Sequence, residues 1–327
     1  MTIYDIAKEA RTSPASVSRY LNNIKIKEET SKRIEAVLKK YNFTPSAVAR
    51  GLASNSSKTI GVILIDIRLP HYANTAYFLE NEFRQIGYNI IICNTHGSIE
   101  ETKASINNLL SYHVDGICFF GSVFTKLNED LEILNLLKDI PIITLNFSLS
   151  VPHSYSLMIA DGYGIEISVE HLYNKHRKNI FLIYDSDTTS SNEKIKGFKQ
   201  VMQRLSLNWE NHIIKVMPGV EGGYTVLEKL LNSNQEFDGI VCAEDTIAVG
   251  VVNSLQDAGY VVGKDVDVIG FNNSIYAKIT MPNLTSVDTQ AEYQAHMVAQ
   301  MLQSLISSST PISSMTYKPN LVVRESA

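Results

Sequence analysis

From residue 59 to residue 288, short apolar runs alternate with amphipathic stretches, and this alternation limits the fold more than any other feature. Runs suited to buried strands cover 60–65, 89–93, 116–120 and 141–145, and a second series covers 179–184, 213–216, 239–242 and 266–271. Helical spacing occupies about 75–86, 99–112 and 127–138 in the first series. In the second it occupies about 162–174, 191–207, 222–232 and 245–257. Strands alternating with helices form doubly wound parallel sheets, because each crossover helix covers a sheet face. Two series predict two α/β lobes with a cleft between them, where ligands meet the carboxyl ends of strands.

Ahead of this body stands a segment of a different kind. In residues 2–22, TIYDIAKEARTSPASVSRYLN, the residues Ile3, Ile6, Ala7 and Ala10 repeat at helical spacing. Thr2 with Asp5 three residues later forms a capping-box signature. Arg11-Thr12 is long enough only for a tight turn, and Ser13-Pro14 then announces a second helix with its cap and first-turn proline. Val17 and Leu21 form the buried side of that helix, while Ala15, Ser16 and Arg19 face outward. Two short helices joined so tightly describe a helix-turn-helix. A third helix opens at Glu28-Glu29-Thr30, and its Ile34, Val37, Leu38 and Tyr41 are expected to close the core. After Pro45, Ser46 can cap a short helix over 47–53, followed by the polar run 54–58.

Charge divides the same way. Residues 1–60 hold 11 Lys/Arg against 5 Asp/Glu, whereas the remainder holds 18 against 29. A small basic head on a large acidic body suits a head that meets phosphate while the body stays away from it. At 327 residues the chain exceeds one ordinary core, and 44% hydrophobic residues with a mean hydropathy near zero fit a globular protein. Cys93, Cys118 and Cys242 sit in apolar strand-like runs without metal or redox spacing, so reduced thiols are expected and neither metal nor cofactor. No stretch approaches eighteen apolar residues and the first helix starts at once, so the expected location is the cytoplasm.

Taken together, YDIAKEA…SVSRYLN, YNFTPSAVARGLA, the serine-rich link, TIGVI and the ending Asn320-Leu-Val-Val-Arg-Glu-Ser-Ala327 closely resemble the lactose-repressor/galactose-repressor family over essentially the whole chain. The resemblance implies a small all-α helix-turn-helix head over 1–45, a hinge helix and linker over 46–58, and a periplasmic-binding-protein-like body over 59–327. Lobe one would take about 59–157 and 289–316, with a returning helix at about 290–307. Lobe two would take about 158–288 and 317–327. It further implies a transcriptional regulator, chiefly a repressor of carbohydrate-utilisation genes, that binds a roughly palindromic operator as a homodimer. A small molecule in the cleft would control it: a sugar or sugar derivative, or alternatively a purine-type corepressor. The family's tetramers add a leucine heptad after the body, so a dimer is expected here.

In the head, Arg19 is the recognition-helix side chain able to pair bidentately with guanine. Tyr4, Ser13, Ser16 and Ser18 suit phosphate contacts, which fix register without reading sequence. The resemblance places Pro14 and Ala15 against bases and adds Asn22, Arg50 and Ala53 as DNA-facing candidates. It makes Leu52 the wedge that enters the minor groove and bends DNA. In isolation so short a hinge helix is expected to be disordered.

In the body, the resemblance implies effector-binding roles for Tyr72, Asp161, Lys194, Glu244 and Asn272. Tyr72 could stack on a sugar face. Lys194 stands where the family usually has arginine, Asn272 where it has aspartate, and Glu244 replaces a common Asn or Ser. A buried ammonium needs an anion. Either Glu244 supplies it and the ligand is neutral, or the ligand brings a phosphate or carboxylate.

An enzyme is the rival reading, and its motifs are missing. The first strand, Gly61-Val-Ile-Leu-Ile-Asp66, lacks a dinucleotide glycine pattern. Gly259-Tyr-Val-Val-Gly-Lys264 is one residue short of a phosphate loop and precedes a strand, which makes it a surface turn. There is no G-x-S-x-G or H-E-x-x-H. A plain solute-binding protein is the other rival, opposed by the basic head.

Overall fold

The structure is a computed structural model and describes residues 2–21, 24–42, 56–232, 235–308 and 311–327. The predicted hinge helix therefore lies outside the described residues, with Asn22, Arg50, Leu52 and Ala53.

Helices α1 (Ile3–Glu9), α2 (Pro14–Leu21) and α3 (Glu28–Lys40) make the head. The capping box forms as the sequence predicts: Asp5 N donates to Thr2 Oγ1 and Thr2 N donates to Asp5 Oδ2. Ser16 N donates to Ser13 Oγ at 3.2 Å, which caps α2. Arg11, at φ 51, turns the chain between the two helices. Ile6, Ala7, Ala10, Val17, Ile34 and Val37 are the buried core. Each large aliphatic contributes roughly 1.5–3 kcal/mol, a modest total for a unit of this size. Tyr41 does not join them. It caps the end of α3, 45% exposed, and its hydroxyl donates to Glu9 Oε1 at 3.1 Å beside Lys40, which holds the ring at the surface.

The body holds two six-stranded sheets. The first comprises β1 (Thr59–Leu64), β2 (Asn89–Asn94), β3 (Gly116–Phe120), β4 (Ile142–Leu145), β5 (Ser154–Ile159) and β11 (Met315–Tyr317), ordered β11-β5-β4-β3-β1-β2 and parallel throughout. The second comprises β6 (Ile180–Tyr184), β7 (Ile213–Lys215), β8 (Gly239–Cys242), β9 (Asp267–Phe271), β10 (Thr285–Asp288) and β12 (Asn320–Val322), ordered β12-β10-β9-β8-β6-β7. There only β12 runs antiparallel. Every residue of β3 and β9 is buried, because helices cover both sheet faces; hence the apolar run of β3 and of residues 268–271 in β9, while the buried Asp267 is paired with Lys175 and Arg177.

Helices α4 (Pro70–Gln85), α5 (Ile99–Ser111), α6 (Leu131–Leu137) and α13 (Ala291–Ser307) belong to the first sheet, and α13 buries Ala295, Val298 and Leu302 in its core. Helices α7 (Asp161–Asn174), α8 (Thr189–Arg204), α9 (Gly219–Tyr224), α10 (Val226–Asn232), α11 (Asp245–Asp257) and α12 (Ile275–Ile279) belong to the second. The predicted helix at 127–138 is a 3-10 turn over Ser122–Glu129 followed by α6, divided where Asp130 caps the backbone of Glu132 and Ile133. The predicted helix at 222–232 is likewise two, α9 and α10. The chain passes between the sheets at residue 160, at 289–290 and at 318–319. Thus β5 and β11 carry the first sheet one or two residues beyond the expected crossings.

Candidate functional site

In both sheets the strand order reverses beside the first strand of the series, at β1/β3 and at β6/β8, and ligands bind outside the carboxyl ends at such a point. The two switch points face one cavity of about 330 Å³. Tyr72, Asp161, Lys194, Glu244 and Asn272 all line it, so the structure brings the five residues together.

Asp161 opens α7 just after the first crossing and is 4% exposed. It accepts from Asn146 Nδ2 at 3.0 Å and from Ser190 Oγ at 2.5 Å, one donor from each lobe. Burial raises its pKa, with the nearby Lys194 ammonium and the two donors opposing. Asn146 is itself held by Ile159 N at 2.8 Å. A second bridge between the lobes runs from Thr125 Oγ1 to Thr189 Oγ1, 3.3 Å apart.

Lys194 is 5% exposed. Its place follows from a close crossing of α7 and α8, where a Cβ on Gly197 would lie 2.4 Å from Gly162 O. The expected ion pair with Glu244 is not formed. Lys194 Nζ instead donates to Ala243 O at 3.0 Å and lies 3.9 Å from the Phe271 ring centroid. A carbonyl and an aromatic face take the part of the anion.

Glu244 pairs with the other unusual residue. Asn272 Nδ2 donates to Glu244 Oε2 at 2.6 Å, and Thr289 Oγ1 donates to Asn272 Oδ1 at 3.3 Å. An aspartate at 272 would set two carboxylates in contact. The Asn and the Glu therefore compensate each other, leaving Lys194 outside the exchange. Burial, with Asp185 and Asp245 adding repulsion and Lys194 opposing, lifts the Glu244 pKa to about 8. His71 Nδ1 lies 3.7 Å from Glu244 Oε2, but burial and Lys194 lower His71 to about 3. Burial thus favours the neutral form of both groups, which weakens this approach as an ion pair.

Tyr72 is 8% exposed and packed in the lobe-one core, its ring 4.0 Å from that of His71. The open face expected for stacking is covered. Its hydroxyl leaves no space for a side chain on Gly121, where a Cβ would fall 2.6 Å away at φ +126. Asp185, Asn146 and Ser190 also line the cavity and were not singled out by the sequence. Their common signal is position at a strand end or the following helix start. The next carboxylate, Asp245, accepts from Ser286 Oγ and Ser274 N, both at 2.6 Å, and burial lifts it to about 6.

In the head, Tyr4 is 74% exposed. Pro14, Ala15 and Arg19 are also exposed, and the Arg19 guanidinium has no ion pair or hydrogen bond among the described residues. Ser13 and Ser16 approach each other, Oγ to Oγ, at 3.0 Å, and Ser18 is half-buried. Cys118 and Cys242 are buried and Cys93 is half-buried, all three as free thiols. No helix among the described residues is long and apolar enough to cross a membrane.

Comparison with known proteins adds to this geometry. Residues 2–46 match the family described as bacterial regulatory proteins, lacI family, and residues 169–327 match a periplasmic binding protein-like domain. An HTH-type transcriptional regulator of Lachnoclostridium phytofermentans is 30% identical over 329 residues, 99% of each chain. Catabolite control protein A of Staphylococcus epidermidis is 34% identical over 290 residues, 88% of this chain and 87% of its own. The structure of the lac repressor dimer bound to operator and the anti-inducer ONPF superposes with a TM-score of 0.88 at 21% identity, covering 100% of this chain and 98% of that one.

Proposed function

Because the chain belongs to the lacI family of bacterial regulatory proteins, and so is a DNA-binding transcriptional regulator rather than an enzyme, we propose that it is a homodimeric, cytoplasmic repressor of carbohydrate-utilisation genes whose effector is an uncharged sugar. Two heads would read half-sites about one helical turn apart. Arg19 would contact a guanine edge, Pro14 and Ala15 base methyl groups, and Tyr4, Ser13, Ser16 and Ser18 phosphates. Asn22, Arg50, Leu52 and Ala53 would complete the DNA contact.

One observation carries the choice of effector: Lys194, the cavity's buried cation, is already held by Ala243 O and the Phe271 ring. It needs no phosphate from the ligand. Asp161, Asp185, Glu244 and Asn272 offer the acceptors and donors that hydroxyl groups require. Ligand bound between Asn146 of lobe one and Glu244 of lobe two would change how the lobes meet, and through them the spacing of the two heads.

Thermal-shift screening of the purified protein against mono- and disaccharides, sugar phosphates and purines tests this, since a bound ligand raises apparent stability. A neutral sugar should shift the transition and change retardation of operator DNA. A shift confined to sugar phosphates or purines would overturn the assignment.

A further inference from the structure

Beyond the cavity, one carboxylate gathers the chain where it enters the body. Asp115, half-buried in the turn before β3, accepts from three consecutive residues that lead into β1. Ser57 N donates to Oδ1 at 2.8 Å and Ser57 Oγ to the same atom at 3.2 Å. Lys58 N donates to Oδ2 at 3.3 Å, and Ser56 Oγ donates to that oxygen as well. Lys58 is fixed a second time, its ammonium 4.4 Å from the Tyr88 ring centroid. Bonds to a carboxylate are about twice as strong as neutral ones, so this cluster holds residues 56–58 firmly to the turn before β3.

The position gives the attachment its meaning. Asp115 and Lys58 stand at the amino ends of β3 and β1, which pair along their length from Ile60–Gly116 to Leu64–Phe120. The carboxyl ends of those two strands open into the cavity through Ile65, Phe120, Gly121 and Ser122. Two adjacent central strands, about 17 Å long at the usual rise, thus join the ligand cavity to the point where the chain arrives from the head.

We infer that Asp115 is a positioning residue that clamps residues 56–58 to lobe one, so that displacement of β1 and β3 at the cavity is delivered to the segment carrying the heads. This rests on the regulatory reading above and names the contact through which it operates. A serine or alanine would fill the same turn, but neither could accept from three residues at once.

The test uses the full-length protein, Asp115→Ala, and Asp115→Asn, which keeps the volume and one acceptor oxygen. Amide hydrogen exchange at Ser57 and Lys58 should accelerate roughly ten- to a hundredfold in Asp115→Ala, with the asparagine variant between, while amides of β4 and β9 stay unchanged. Unaltered exchange at Ser57 and Lys58 would overturn the clamp whatever the protein binds. On a duplex selected from random sequence by the wild-type protein, Asp115→Ala should bind at least about tenfold more weakly, or lose its response to the sugar that shifts the wild-type transition. Sugar affinity itself should remain within about twofold, which a general loss of structure would not permit. Faster exchange with unchanged DNA affinity and unchanged response would refute the positioning role. Failure of the wild type to select any duplex would count against the regulatory reading and leave exchange to decide the clamp.

Discussion

Replacing Glu244 with glutamine should remove a large part of the pH dependence of the body's stability. Burial moves the Glu244 carboxyl from an ordinary 4.5 to about 8. A raised folded-state pKa means that the native protein binds a proton more readily than the unfolded chain between those values. The resulting stability is full below about pH 4.5, falls as pH rises, and is lost by about pH 8. At about 1.4 kcal/mol per unit, a shift of roughly 3.5 units sets an upper bound near 5 kcal/mol. Water in the cleft reduces this, since 27% of the side-chain surface is open, so a loss of about 2–4 kcal/mol is expected. Glutamine keeps an oxygen for Asn272 Nδ2 and cannot ionise. Urea unfolding of both proteins from pH 4.5 to 9 gives the difference curve, in which the other carboxylates cancel. The two should agree within about 0.5 kcal/mol at pH 4.5, and the variant should be more stable by about 2–3 kcal/mol at pH 7. Parallel curves across the range would refute the buried, protonated Glu244.

Arg19→Ala should cost roughly 1–3 kcal/mol of operator binding and relax discrimination at one base pair per half-site; uniform loss over all sequences would make Arg19 a phosphate contact. Gly197→Ala, which forces a Cβ into Gly162 O, should lower stability by about 1–3 kcal/mol in urea titrations and weaken sugar affinity through displacement of Lys194. An unchanged Kd would show that the helix crossing does not set the lysine. Removing residues 1–58 should abolish specific DNA retardation while leaving the sugar's thermal shift in place, and retained retardation would place DNA binding in the body.

How much of this was legible in the sequence follows from how local each determinant is. The capping box of Thr2 and Asp5 and the Ser13-Pro14 start involve residues within one helical turn, so the head's first two helices could be read directly. Strand β3 was legible because burial on both faces leaves a continuous apolar run, and β9 because residues 268–271 form one. Strands β11 and β12, three residues each, carry no such signal; their pairing is decided by the chain's return between the lobes. Tyr41 shows the converse failure, apolar spacing on a side chain whose hydroxyl bonds Glu9 at the surface. Family resemblance singled out five residues that line one cavity, but it could not say which touch. Lys194 turns to Ala243 O and Phe271 because Gly162 and Gly197 bring α7 and α8 together, a tertiary fact. Asp185 escaped notice because an aspartate after a strand is usual loop chemistry.

The central claim, that the cleft and the heads are energetically coupled, is tested most directly by one pair of titrations on the whole protein. Operator affinity is measured with and without the sugar that shifts the melting transition, and sugar affinity with and without saturating operator. Coupling between two sites is reciprocal, and typical values correspond to about 5–150-fold. The account predicts that the sugar weakens operator binding by a factor in this range, and that the operator weakens sugar binding by the same factor. Operator affinity unchanged at saturating sugar would contradict it.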